Sequence, residues 1–332
     1  MEQIEQLLAL MDRPAFCAEG GRITALNAAA RSLALEEGTD LADLLSVDRE
    51  AYSEFAEGWL TLALSLPGGS RAATVTVMED RHLFTLEPES AAEELQMLAL
   101  AAKALREPLS DVMALADELP EDSAHRAQLN RGLHRLLRIV GNMTPQPVFR
   151  PEMVELNALL RELWDKAEPL CQRLGIRFTF TPSPAPVFTA ADEAVLTRAI
   201  HNLLSNSMKF SPGRELLLEL QRSGKFCRIR FHDTGTQMPA DPFTRYLREP
   251  GLEDPRNGLG LGLRLVRDAA IAHGGTALMV PRPEGGVLTE LRLPIRQDGT
   301  TLCSPRLRLS YTGERDPLLV ELSDVLPPEF YK

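Results

Sequence analysis

The sequence predicts a multidomain α+β protein with three parts: a small antiparallel α+β unit, a two-helix hairpin, and an α/β sandwich with helices on one face of a mixed sheet. Three patterns predict it. Short alternating apolar runs, broken by turn residues, fill residues 1–88. Apolar residues then step by 4 and 3 across residues 93–143. Beyond residue 150, strand-like runs alternate with amphipathic helices. A chain of 332 residues is long enough for two or three domains, and 44% apolar residues suffice for folded cores.

In residues 1–88, PAFCAE, the turn GG and RITALN read as a hairpin. Asn27 can cap a following helix, AAARSLAL. ATVTVMED and RHLFTLEP then alternate as two antiparallel strands. A hairpin, short helices and a closing meander in this order resemble a PAS sensor domain. Cys17 lacks the surroundings of a flavin-bonding cysteine and reads as core.

Residues 89–148 form the hairpin. Leu98, Ala102, Leu105, Leu109, Val112, Ala116 and Leu119 mark one helix, and Leu129, Leu133, Leu136, Val140 and Met143 the other. The bend falls at 120–123. Heptad spacing is the signature of a bundle seam, and two helices cannot cover both of their own stripes. A homodimer closing a four-helix bundle is therefore expected. MTPQPVFRPEM, with three prolines, links the hairpin to residues 149–296. There an amphipathic helix from Leu156 to Leu170 precedes the strand-like runs IRFTFT, ELLLELQ, FCRIRFH, TALMV and VLTELRL. In the tail, 297–332, RLRLSY is expected to add an edge strand. Asp316 followed by Pro317 caps a short helix, LLVELSDVL.

A net charge of −11 argues against nonspecific binding to nucleic acid or anionic membranes, although backbone amides and a metal can still hold a nucleotide. The four cysteines are far apart and form no CxxC pair, so neither a zinc site nor a disulfide framework is expected. No run approaches the ~18 apolar residues of a membrane helix, and the first residues lack signal-peptide character. The expectation is a soluble, cytoplasmic protein.

Three segments after residue 150 point to a nucleotide. HNLLSNSMKF at 201–210 places Asn202 and Asn206 on one helix face. Asparagine is a poor helix former, so two of them in a strong helix want a reason. An amide oxygen suits Mg²⁺ when phosphates complete its octahedron, and Lys209 can reach a phosphate. HDTGTQMP at 232–239 follows a strand. Its Asp233 can accept an adenine amino group, and Gly235 lets the backbone approach a flat base. NGLGLGLRLV at 257–266 carries Gly258, Gly260 and Gly262 into a helix start, an anion-binding arrangement. Neither a Walker A loop nor a Rossmann fingerprint is present.

In this order the segments resemble the N, G1 and G2 boxes of the Bergerat-fold ATP-binding domain of sensor histidine kinases. GLGLGLRLV tracks that family's GTGLGLSIV, and NLLSNSMKF its NLLxNAxKY. The resemblance implies that Asn206 binds Mg²⁺, Asp233 binds adenine, Gly235 borders the base, and the last glycines flank a phosphate lid. Related ATPases that hydrolyse ATP carry Glu four residues before the metal Asn. Here Asn202 stands there, and an amide is no general base, so hydrolysis should be slow. Gln237 replaces the second glycine of DxGxG, and 238–257 leaves little room for a lid.

The same family explains AAKALREPLSDV at 101–112. Its phosphoacceptor helix reads SHELRTPL, and here Lys103 stands for the histidine and Ala104 for the acid. Pro108 matches the family's helix bend. A lysine ammonium offers no free lone pair at neutral pH, unlike an imidazole. Among the remaining histidines, His134 sits beside Leu133 at a rim position of the second helix, and it is the one serious substitute. Arg126, Arg131, Arg135 and Arg138 make that helix basic, which suits an acidic partner such as a response-regulator receiver domain. Three readings follow. The chain binds ATP·Mg and signals without its own acceptor, to a partner or partner kinase. Alternatively, it is an active kinase using His134 or a histidine in trans. Finally, it is a dimeric scaffold that sequesters a regulator.

Overall fold

The computed structural model describes residues 2–45, 49–78, 80–86, 90–120, 124–143, 149–210, 215–234, 261–283, 285–295 and 315–332. α1 (Glu2–Ala9) leads into β1 (Ala15–Glu19) and β2 (Arg22–Leu26). Gly20 and Gly21 join these strands at φ +58° and +80°, which L side chains rarely adopt. Asn27 caps α2 (Ala28–Arg31): its Oδ1 accepts from Ala30 N–H at 2.9 Å and Ala15 N–H at 3.1 Å. Its Nδ2 donates to the carbonyls of Met11 and Arg13, so one side chain ties α1, β1 and α2 together. α3 (Leu41–Leu44) and α4 (Arg49–Ser53) follow, then β3 (Trp59–Leu66), β4 (Gly69–Met78) and β5 (Arg81–Leu86). These strands form an antiparallel sheet in the order β2-β1-β5-β4-β3 around a core that includes Phe16, Ile23, Leu62 and Phe84. The sequence reading did not include β3. Its segment, WLTLALSL, buries residues on both faces and so lacks a clean alternation.

α5 (Ser90–Asp117) keeps Pro108 in its interior, and α6 (Ala124–Met143) returns beside it. The predicted stripes divide in two. Ala102, Leu109, Ala116, Leu133 and Val140 are buried between the helices. Leu105, Val112, Leu119, Leu129 and Leu136 remain exposed.

Next, β6 (Glu152–Glu155) pairs with β8 (Phe188–Ala191), and Glu155 caps α7 (Leu156–Arg173) by accepting from the N–H groups of Asn157 and Ala158. β7 (Arg177–Thr181), α8 (Glu193–Phe210), β9 (Glu215–Ser223), β10 (Phe226–Asp233), α9 (Leu261–Ala272), β11 (Thr276–Pro281) and β12 (Val287–Pro294) build the mixed sheet. Its order is β11-β12-β10-β9-β7, with β7 parallel to β9 and the other neighbours antiparallel. α7, α8 and α9 supply Leu160, Leu203 and Val266 to the core against Leu218, Ile229 and Leu291.

The two sheets are continuous. Trp59, Leu60 and Thr61 of β3 pair antiparallel with Met279, Leu278 and Ala277 of β11, giving ten strands. Gly58 makes the approach possible: at φ +81°, a Cβ there would lie 2.0 Å from the Met279 carbonyl oxygen. Beside this junction the buried Arg292 meets Glu50 at 3.0 Å and Glu54 at 3.3 Å, and its guanidinium lies over Phe226.

The tail packs as a strap. Asp316 caps α10 (Pro317–Glu321), its Oδ1 accepting from Leu318 N–H at 2.8 Å, and a 3-10 turn closes the chain at Pro328–Tyr331. Leu318, Leu322, Leu326 and Tyr331 join the core shared by α7, α8 and α9. The expected edge strand RLRLSY at 306–311, the bend at 121–123 and linker residues 144–148 lie outside the described residues. No helix among the described residues is long and apolar enough to cross a membrane.

Candidate nucleotide site

α8 carries Asn202, Asn206 and Lys209, β10 ends at Asp233, and α9 begins beside them. Asn202 is fully buried. Its Nδ2 donates to the Arg198 carbonyl at 3.0 Å, while its Oδ1 meets no donor. A Cβ on Gly262 would lie 2.9 Å from Asn202 Oδ1 and 3.8 Å from Asn206 Nδ2. Glycine thus lets α9 close over both amides. They share a face as the spacing predicts, with Asn202 sealed under α9 and Asn206 half-buried. Asp233 is buried at the strand end, where Oδ1 accepts from Val287 N–H at 3.2 Å and Oδ2 from Ser207 Oγ at 3.4 Å. An ionised carboxylate has about four acceptor sites, so capacity remains for an exocyclic amino group. Gly235, Gly258 and Gly260 lie outside the described residues, as do Gln237 and segment 238–257.

Two contributors were missed in the sequence. Ser207, one residue past Asn206, donates to Asp233. Gly286, at φ +93°, presses the β11–β12 turn onto β10, where a Cβ would lie 2.0 Å from the Asp233 carbonyl oxygen. The paired glycines at 285–286 were the available signal.

Lys209 Nζ lies 3.3 Å from Asp324 Oδ2 in the strap. Burial opposes ionisation of Asp324, but Arg138, Lys209 and Arg135 outweigh it and hold its pKa below the usual carboxylate range.

The basic face of α6 is also a correction. Arg131 donates to the carbonyls of Ser323 and Asp324, Arg135 pairs with Asp324 at 2.9 Å, and Arg138 pairs with Glu321 at 3.1 Å and with Asp324. Arg126 donates to the Leu119 carbonyl. The chain's own tail therefore engages Arg131, Arg135 and Arg138 of the face that was expected to receive an acidic partner.

Lys103 and Ala104 are exposed on α5. His134 is not on a rim. It is 5% exposed, its Nδ1 donates to the Asn130 carbonyl at 2.7 Å, and its ring meets Tyr331 edge-on at 4.8 Å. Burial lowers its pKa, so the ring is neutral and covered by the strap. His201 on α8 is buried as well, and burial pushes it down to about 4. The thiols of Cys17, Cys171 and Cys227 are free, and burial raises them to about 11, 12 and 12, so they act as packing groups.

Residues 191–297 match the family described as Histidine kinase-, DNA gyrase B-, and HSP90-like ATPase. The chain is 27% identical over 252 residues to the adaptive-response sensory kinase SasA of Synechococcus sp. (strain CC9311), an alignment covering 69% of this chain and 65% of that protein. It is 28% identical over 230 residues to the histidine protein kinase DivJ of Caulobacter vibrioides, covering 62% of this chain and 38% of that one. The chain thus spans less than two thirds of the length of these curated relatives. A crystal structure of full-length ShkA in complex with AMPPNP aligns with a TM-score of 0.48 at 22% identity, covering 60% of this chain and 46% of that one.

Proposed function

We propose, from the match of residues 191–297 to the histidine kinase-, DNA gyrase B- and HSP90-like ATPase family, that the chain is a sensor-histidine-kinase homologue that binds ATP with Mg²⁺ and signals without an acceptor of its own. The observation that carries the reading is the approach of Gly262 to Asn202 and Asn206 beside Asp233, with Asn202 Oδ1 buried and without a donor. In this reading Asp233 accepts from the adenine amino group, held in place by Ser207 and the Val287 N–H. Asn206 supplies an amide oxygen to Mg²⁺, and Lys209 can turn from Asp324 to the phosphates. Among the described residues no three His, Cys, Asp or Glu side chains gather as a metal cluster, so phosphate and water would provide the other ligands. Asn202 places an amide where hydrolytic relatives carry a general base, which favours retention of ATP over hydrolysis.

The strand order β2-β1-β5-β4-β3, with short helices between β2 and β3, supports a PAS-like sensor role for the first part. Two partners complete the proposal. One is a second copy, through the exposed half of the heptad stripe. The other is a receiver-like protein domain, with exposed Lys103 and Arg106 of α5 as its cationic contacts. His134 is left out as an acceptor because it is buried under the tail.

Calorimetry tests the nucleotide site. ATP·Mg should bind the wild type, and Asp233→Asn should weaken it roughly tenfold or more, the order expected when a charged hydrogen-bond acceptor is lost. Equal affinity for the two proteins would remove Asp233 from the adenine contact. Separately, incubation with γ-labelled ATP should leave no acid-labile phosphate on the wild type, because Lys103 and Ala104 provide neither nucleophile nor proton acceptor. Label mapped to any histidine of this chain would refute a kinase homologue without an acceptor.

A further inference from the structure

The strap and the nucleotide helix share a lysine. Asp324 faces three cations: Arg135 at 2.9 Å on Oδ1, and Arg138 together with Lys209 on Oδ2. One residue turn away in the same segment, the fully buried Glu321 bridges Arg138 of α6 at 3.1 Å and Arg198 of α8 at 3.4 Å. The strap therefore grips α8 at two points, Arg198 and Lys209, about three helical turns apart. It grips α6 through Arg135 and Arg138, one turn apart.

We infer that segment 315–332 couples nucleotide binding to the helical hairpin, because Asp324 and the phosphates of a bound nucleotide compete for Lys209. The inference rests on the nucleotide reading proposed above. Its physical basis is the charge count at Asp324. If Lys209 turns to a triphosphate, Arg135 and Arg138 remain to neutralise the carboxylate, so no buried charge is stranded. The strap itself stays seated, since Leu318, Leu322 and Leu326 are each no more than 2% exposed in the core. Moving Lys209 thus redistributes charge along α6 without ejecting the tail. Coupling of this kind is reciprocal: loosening Asp324 from Lys209 must favour phosphate binding by the same factor that phosphate weakens the Asp324–Lys209 pair.

A double-mutant cycle in the full chain tests this, with ATP·Mg and adenosine as calorimetric probes. Asp324→Asn keeps the side-chain shape and should raise ATP·Mg affinity several-fold while leaving adenosine affinity unchanged. In a Lys209→Met background the same substitution should change neither. In the wild type, ATP·Mg but not adenosine should speed amide exchange across residues 320–326. An unchanged ATP-to-adenosine affinity ratio in Asp324→Asn, or identical exchange with the two probes, overturns the coupling while leaving the nucleotide site standing. If neither probe binds the wild type, the nucleotide reading falls and the coupling with it.

Discussion

Replacing Glu321 with alanine should destabilise the unit built from α6, α8 and the strap by about 3–5 kcal/mol, a large share of the roughly 5–15 kcal/mol that holds most domains folded. Glu321 has no exposed surface, and the side chains of both its partners, Arg138 and Arg198, are 10% exposed. Removing the carboxylate takes from two buried guanidinium groups the counter-charge they share, although Arg138 keeps Asp324 and Arg198 keeps Asn142 Oδ1. The net worth of the bridge is a different quantity. Replacing Arg138, Arg198 and Glu321 together with apolar residues of similar volume should be far milder, because a buried ion network barely repays its own desolvation. An exposed pair supplies the contrast. Arg31 and Glu37 lie 2.7 Å apart with side chains 57% and 54% exposed, and Glu37→Ala should change stability by no more than about 1 kcal/mol. Urea titration followed by hydrogen exchange across α6 and the strap reads both effects. A Glu321→Ala protein as stable as Glu37→Ala would mean that the strap does not seat as described.

That strap was the part least legible in the sequence. The capped helix was visible, because Asp316 followed by Pro317 is a local signal and the cap is present. Its destination was not, because Arg138 and Glu321 are 183 residues apart and nothing in either neighbourhood names the other. The arginines of α6 looked like a docking face for the same reason: a cationic helix face reads identically whether its acidic partner is another protein or the chain's own end. The junction of β3 with β11 was hidden similarly, since an edge strand keeps the same side-chain pattern whether or not its outer edge is paired. Elements set by local periodicity fared better. The amide pair on α8 lies on one face because residues four apart must do so, and Asp233 ends its strand where the HDTG segment placed it. What the motif could not tell was that Lys209 faces a carboxylate of the tail.

The heptad stripe carries the remaining large effect. Substituting Leu105 and Leu136 with glutamate should convert a dimer into a monomer while leaving the hairpin folded. Of the two interleaved halves of the stripe, one is already used within the chain. Leu109 and Leu133 are 8% and 4% exposed between α5 and α6. The other half faces outward: Leu105 and Leu136 are each 49% exposed, with Val112 at 44% and Leu119 and Leu129 at 38% and 39%. The strap covers a third side of α6, along Asn130, Arg131, His134 and Arg138, so it does not compete for this surface. A run of exposed leucines at seam spacing is what two hairpins would bury in a four-helix bundle, at roughly 1.5–3 kcal/mol for each side chain fully removed from water. Glutamates at positions 105 and 136 would put charge into that seam without touching the intrachain core. Glutamate at 109 or 133 would instead break the hairpin itself and lower its helical signal. Light scattering at micromolar concentration, paired with circular dichroism, separates the two outcomes. A wild-type chain that scatters as a monomer would mean that the exposed leucines serve some other contact.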